Sequence, residues 1–509
     1  MKFNFKLRGK ADTKNYEGAK AFSFTPEMEL YTAVATTMLN DATYESADKR
    51  LTRIIELLPK VSPAFVAKLA VYARTQMNLR SAPVVLSTEL AKIHNGDNLV
   101  SNTLEKIVQR PDEITEVLAY YQMTNERKGQ KKLFKISKQV QKGLAASFNK
   151  FDEYQFAKYN RATEVKLRDA LFLVHPKAKD DAQQTLFNKI AKDELTTPYT
   201  WETELSAAGQ MKYSSPHDRK MAMKTVWELL IDSGKMGYMA TLRNLRNILE
   251  AQVSAAHVQK VCDYLMNEKA VAHSKQLPFR FLAAYRELKT VPSEYTSYVM
   301  TALETALEKS VANMQGFELN ERVVVACDVS GSMQHVVSPK SKVLYYDIGL
   351  LMGMMLQSKC KNVVSGMFGD SWKIVPLPTK GILANVDAFY KREGEVGYST
   401  NGYLVLRDLC ERKYRADKVM MFTDVQMWDS TTKNILNANT IAYQWAQYKK
   451  IAPQAKLYIF DLAGYGNAPL RIPQNDVYLI AGWSDKIFSV LEAMENGADA
   501  MEMINAIAI

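Results

Sequence analysis

The sequence predicts an α plus α/β protein in two parts, a long array of amphipathic helices followed by a doubly wound α/β domain. Three observations carry this. The chain has 509 residues, more than one compact core usually serves. From about Pro26 to Ser310, apolar residues recur at helical spacing. After Asn313, short β-branched runs alternate with helical stretches.

Composition sets the outer bounds. With 47% hydrophobic and 24% charged residues, 22 Gly and 16 Pro, the chain falls in the folded class, not the disordered or fibrous ones. The four cysteines, Cys262, Cys327, Cys360 and Cys410, form no C-x-x-C pair and have no histidine at zinc-finger spacing, which argues against a disulfide framework or a structural zinc. The N-terminal residues turn polar before an apolar stretch develops, so no secretory signal is expected. The longest apolar run, Ile348 to Leu356, is interrupted by Gly353 and is under half of the roughly 20 residues a membrane span needs. A cytoplasmic protein with no membrane partner is the expectation.

The first part reads as helix after helix, with breaks expected at Pro59, Pro63, Pro83, Pro111, Pro198, Pro216, Pro278 and Pro292. Pro63 to Arg74, for example, carries apolar residues at i, i+3, i+4 and i+7. Short helices without a strict repeat suggest an array in which each pair buries its apolar face against the next. In the second part, Arg322 to Asp328 reads as a buried parallel strand, as do Asn362 to Met367, Lys418 to Thr423, Lys456 to Asp461 and Val477 to Trp483. Helices are expected between them at Lys342 to Gln357, Gly402 to Arg412 and Asn437 to Lys449, and at the end from Asp485 to Glu495.

In such a sheet, ligands bind at the carboxyl ends of strands, where oxygen donors are concentrated here. Asp328, Ser330 and Ser332 form a D-x-S-x-S loop after the first strand, Thr400 lies beside Ser399 in a loop before a helix, and Asp424 follows a strand. A lone D-x-S-x-S is more often a turn with a helix cap, but three features in order at strand ends point to a ligand set. Carboxylates with hydroxyls suit Mg²⁺, or another hard cation such as Mn²⁺. Either Ser399 or Thr400 could supply the loop hydroxyl, and Thr423 is a weaker candidate than its neighbour Asp424. Enzyme motifs are missing: there is no P-loop, no D-x-D and no G-x-S-x-G, and the six histidines are scattered. A metal-dependent nuclease would need more carboxylates than these two.

The net charge of +11 is unevenly spread. Residues 321–509 hold 20 basic and 19 acidic side chains, leaving 46 and 36 for the first 320 residues, which points to the helical part as a polyanion surface. Between Arg127 and Lys150 lie eight basic residues and no acidic one. A helix would gather Lys128, Lys131, Lys135, Lys138 and Lys142 on one stripe, with Leu133, Ile136, Val140 and Leu144 opposite. Such a row of like charges repels itself unless something anionic, such as a phosphate backbone, offsets it. Lys158, Arg161, Lys166 and Arg168 extend the basic stretch, with Tyr154 and Tyr159 interleaved, and His175 sits near Lys177 and Lys179. Arg243 and Asn244, between Leu242 and Leu245, either form a buried polar network or line an interior surface.

The metal pattern resembles the metal-ion-dependent adhesion site of von Willebrand factor A domains, with Asp328, Ser330, Ser332, Thr400 and Asp424 on its five positions. The whole chain is similar to the Ro ribonucleoprotein autoantigen family, the TROVE-module proteins, in its bacterial branch. The likeness rests on Thr25-Pro26-Glu27-Met28-Glu29-Leu30-Tyr31, on Phe65 to Arg74, on Leu242-Arg243-Asn244-Leu245, on Leu277-Pro278-Phe279-Arg280, on the D-x-S-x-S strand, and on Val477 to Ser484. It implies a HEAT-like helical-repeat ring over 1–315 and a von Willebrand factor A domain over 316–509. It further implies a monomeric, non-enzymatic RNA-binding protein that takes Y-type noncoding RNA and single-stranded ends of misfolded RNA and works with a 3′–5′ exoribonuclease. Lys128, Lys131, Lys135, Lys138, Lys142, Lys158, Lys166, Arg168, His175 and Arg243 are the expected RNA contacts. The competing expectation is a metal-dependent adhesion or assembly module whose basic face meets an acidic protein.

Overall fold

The computed structural model describes residues 13–14, 20–36, 47–124, 136–160, 163–274, 276, 278–312, 320–336, 343–426, 439–465, 467–468, 476–481 and 500–509. The expected helix from Asp485 to Glu495 and the cations Lys128, Lys131, Lys135 and Arg161 lie outside these residues. The chain forms two compact units that do not follow a single cut at 315/316. One gathers residues 1–54, 275–285 and 304–500, and the other 55–274, 286–303 and 501–509.

The first unit is built on strands β1 (Thr13–Lys14), β2 (Lys20–Ser23), β3 (Arg322–Asp328), β4 (Asn362–Phe368), β5 (Trp372–Ile374), β6 (Lys418–Thr423), β7 (Lys456–Asp461), β8 (Asn467–Ala468) and β9 (Val477–Ala481). Six of these form one sheet in the order β5-β4-β3-β6-β7-β9, parallel except for the edge strand β5. Strand order therefore reverses between β3 and β6, the point at which a doubly wound sheet opens a crevice beyond its carboxyl ends. Both faces are covered, which is why these strands read as continuous apolar runs. The helix Tyr345–Lys359 packs on β3 and β6 and is buried from Tyr345 to Gln357. A Cβ on its Gly353 would stand 2.8 Å from Val325 and 3.1 Å from the Cys327 sulfur, so the glycine that interrupts the apolar run lets helix and sheet approach. On the other face Leu406, Leu409, Trp445 and Tyr448, from helices Tyr403–Glu411 and Ile441–Ile451, pack against Val324, Ala326, Met421 and Ile459.

Residues from the chain's beginning complete this unit. The β2 strand pairs antiparallel with β8, and Phe24 and Met28 pack on the sheet core. The helix Pro26–Ala35 is seated by a Thr36 hydroxyl bond to the Ala463 carbonyl at 3.2 Å, and Arg53, on the following helix Ala47–Leu57, bonds the Gly464 carbonyl at 2.6 Å.

In the second unit, helices Pro63–Thr75, Ser81–Ile93, Leu99–Ile107, Pro111–Thr124 and Lys138–Phe148 pack pairwise. Four of the eight prolines read as breaks, Pro63, Pro111, Pro216 and Pro278, are the first residues of α-helices. Pro63, Pro111 and Pro216 occupy first helical positions, where no intrahelical N–H is needed, and Ser62 and Ser215 cap the helices of Pro63 and Pro216 through their hydroxyls at 3.2 and 3.1 Å. Pro83 breaks nothing: it is the third residue of Ser81–Ile93, still in the first turn, where its missing N–H goes unused. A Cβ on Gly143 would stand 2.7 Å from the Ser101 carbonyl oxygen, marking close contact of helices Lys138–Phe148 and Leu99–Ile107. Buried Glu113 ties the array together, accepting from Arg74 at 2.8 Å and from the backbone N–H groups of Gln109 and Arg110 at 2.8 and 3.1 Å. Among the described residues, no helix is long and apolar enough to cross a membrane.

Candidate metal centre and nucleic-acid interface

The switch point between β3 and β6 is where the oxygen-rich loops meet. Asp328 closes β3 and turns back on itself, its Oδ1 accepting from the Ser330 N–H at 2.9 Å. That turn leaves the Ser330 and Ser332 hydroxyls 3.2 Å apart. The loop carrying Thr400 is held against it: the Gly331 N–H donates to the Tyr398 carbonyl and the Asn401 N–H to the Gly369 carbonyl, both at 3.1 Å. Two glycines permit this approach. Gly397 has φ +71° with the Asp370 carboxylate 1.9 Å from where a Cβ would stand, and a Cβ on Gly369 would lie 2.2 Å from the Gly397 carbonyl oxygen. Asp424 follows β6 with its Oδ1 accepting from the Gln426 N–H at 3.1 Å. Of the two candidate loop hydroxyls, Thr400 is buried at 6% exposure and Ser399 is exposed.

Two more buried polar residues border this set, Thr423, which the sequence ranked below Asp424, and Asp461, which it did not single out. Thr423 donates to Asp328 Oδ2 at 2.6 Å, so the residue set aside in favour of its neighbour orients the first carboxylate. Asp461, fully buried at the end of β7, is paired in register with Thr423. The available signal was positional, since Asp461 ends its strand run as Asp424 follows its own. Burial, and then the neighbouring Asp424, push the Asp328 carboxyl up to about 7, against the bonds from Thr423 and Ser330. Burial likewise raises Asp461 to about 6, opposed by the Ala463 and Gly464 N–H groups. Among the described residues, no three His, Cys, Asp or Glu side chains converge on a metal position. Any cation here is therefore held by hydroxyls with few carboxylates. That donor set fits Mg²⁺ or Mn²⁺, whose charge would also offset the burial that, more than the neighbouring Asp424, holds these acids above their usual range.

The cationic residues occupy the second unit. The described helix starts at Lys138, shorter than the stripe expected from Lys128 onward, and within it Lys138 and Lys142 are exposed while Val140 and Leu144 are fully buried. Lys142 also bonds the Asn98 side chain at 2.9 Å. Lys158, Lys166, Arg168, His175 and Arg243 are all exposed. Lys158 stands 5.7 Å over the ring of Tyr154, which is 46% exposed, and Arg168 stands 5.9 Å over that of Phe172, 54% exposed. Phe172 was missed because an apolar residue at helical spacing reads as core. Tyr159 is a partner of Arg110, 4.2 Å over its ring. Asn244 joins the buried network, donating to the Ala240 carbonyl at 2.9 Å and accepting from Asn247 at 2.9 Å, whereas Arg243 beside it faces solvent.

Comparison with known proteins covers most of this chain. Residues 27–199 and 191–325 match the TROVE domain family. Telomerase protein component 1 of Rattus norvegicus is 26% identical and that of Mus musculus 28%, each over 53% of this chain. The match spans only 13% of the length of those relatives. The crystal structure of the Deinococcus radiodurans Ro (RSR) protein superimposes with a TM-score of 0.62 at 16% identity, covering 92% of this chain and 99% of that one. At that identity the likeness is one of fold.

Proposed function

The chain belongs to the TROVE domain family, and from that premise we propose a non-enzymatic RNA-binding protein whose helical unit holds RNA and whose sheet unit holds a divalent cation. The observation that carries the reading is the pairing of exposed cations with exposed rings, Lys158 with Tyr154 and Arg168 with Phe172. Phosphates take the charges, and unpaired bases stack on the rings. Lys138 and Lys142 add charge on a helix whose other side is buried. The RNA is of the small noncoding Y type together with single-stranded ends of misfolded RNA, and the protein serves a 3′–5′ exoribonuclease as scaffold. Filter binding of a structured RNA with a single-stranded 3′ tail, across a salt series, tests this. Affinity should fall steeply with salt, and no binding at low salt would overturn the reading.

At the strand ends, Ser330, Ser332 and Thr400 would supply neutral oxygens to Mg²⁺, with Asp328 and Asp424 as the charged groups. Bound Mg²⁺ would keep some of its waters, and an acidic group from a partner could replace one of them. This favours a second reading, a metal-dependent assembly module for an acidic protein. Retention of such a protein only with Mg²⁺, alongside failure to bind RNA, would decide for it.

A further inference from the structure

Of the buried carboxylates, Asp461 belongs to neither of the sets above. It is the last residue of β7 and is paired with Thr423 on β6. Paired residues on neighbouring strands project from the same side of a sheet, so Asp461 lies beside the hydroxyl that bonds Asp328. Its Oδ1 accepts from the Ala463 and Gly464 N–H groups at 3.0 and 2.6 Å. Its Oδ2 is buried and takes no hydrogen bond from any described residue. A buried carboxylate oxygen without a donor is costly, and native structures rarely keep one without a use. Yet Asp461 does not converge with Asp328 and Asp424 on a single ion position. Both facts fit an acid that reaches an ion through water. Mg²⁺ dehydrates reluctantly and keeps several waters, which outer carboxylates then hold.

The backbone beyond Asp461 leads away from the strand ends. The turn closed by its Oδ1 offers the Ala463 carbonyl to Thr36 and the Gly464 carbonyl to Arg53. Gly464 has φ +70°, and a Cβ there would stand 2.1 Å from the Thr36 hydroxyl and 2.6 Å from the Thr32 carbonyl oxygen. The turn is thus pressed directly against the end of the helix Pro26–Ala35. One side chain joins the switch point of the sheet to the seat of the N-terminal helix.

We infer that Asp461 is an outer acid of the divalent-cation site, bonded to the ion through water, and that ion binding steadies the 461–464 turn and the helix seated on it. This rests on the metal reading given above. The test is calorimetric titration of Mg²⁺ into the full chain, Asp328→Ala and Asp461→Asn, with amide hydrogen exchange of residues 26–36 followed in the unsubstituted chain with and without Mg²⁺. Asp328→Ala should lose binding, Asp461→Asn should weaken it by about 10- to 100-fold, and Mg²⁺ should slow exchange in 26–36. Unchanged Mg²⁺ affinity in Asp461→Asn, with binding lost in Asp328→Ala, overturns the role of Asp461 and leaves the metal site standing. If the unsubstituted chain binds no Mg²⁺, both readings fall. Should Asp461→Asn fail to fold, the exchange measurement decides, and Mg²⁺-independent exchange in 26–36 overturns the inference.

Discussion

The polar groups at the strand ends and those on the helical unit are organised in opposite ways. Asp328, Thr423, Asp424 and Asp461 are buried, and backbone N–H groups fix all four side chains, each from the residue two positions on. Lys138, Lys158 and Arg168 are exposed long side chains set over rings or polar neighbours, and Lys166 is exposed beside them in sequence. A site of the first kind has one geometry and fails when one member is lost. A surface of the second kind works by summation, so each member counts for little and salt weakens all of them together.

The largest test of this contrast is Asp328→Ala. It should lower Mg²⁺ affinity by on the order of 100-fold or more, since even outer partners of a metal commonly cost 10- to 100-fold, and calorimetry reads it directly. Thr423→Val keeps the shape but removes the bond to Asp328 Oδ2. A loss of about tenfold in the same titration would show that the orienting bond matters as the burial suggests. On the helical unit, Tyr154→Ala and Phe172→Ala should each cost about 1–3 kcal/mol in binding to single-stranded RNA. Unchanged affinity in both would remove stacking from the account. Joint replacement of Lys138 and Lys142 by Ala should do least at fixed salt but reduce the slope of log K against log salt by roughly 1.4 to 1.8.

pH separates the two regions as well. The Asp328 and Asp461 carboxyls are raised to about 7 and about 6. Folding therefore favours their protonated forms, so in chelator the protein should lose stability as pH rises from the ordinary carboxylate range through about 7. Mg²⁺ should flatten that dependence. Thermal unfolding with EDTA and with Mg²⁺ measures both, and equal pH profiles would argue against a cation at the strand ends.

Legibility followed the range over which each feature is determined. The strands Arg322–Asp328, Lys418–Thr423 and Lys456–Asp461 have the limits expected from their β-branched and apolar runs, because each is buried on both faces. The D-x-S-x-S loop was equally readable, being a local turn. Thr423 and Asp461 were not, because their roles depend on which strands lie side by side, and β7 follows β6 in space only through the sheet order. Strands β2 and β8 are 4 and 2 residues long and pair across most of the chain, beyond any window of periodicity. Prolines misled in the helical unit because the same residue marks a break and a first turn: a preceding Ser identifies the helix starts at Pro63 and Pro216, but Pro111 follows Arg110 and Pro198 follows Thr197 outside any helix.

The bond from Thr36 to the Ala463 carbonyl spans 427 residues of chain. At a synthesis rate of about 5–20 residues per second, the N-terminal helix waits roughly 20 to 85 seconds for the turn that seats it. During that interval Leu30, Tyr31 and Val34, buried in the finished molecule, have no sheet to cover them. The nascent chain therefore carries an uncovered apolar helix over that interval, which makes the segment 26–36 a natural client for chaperones on the ribosome.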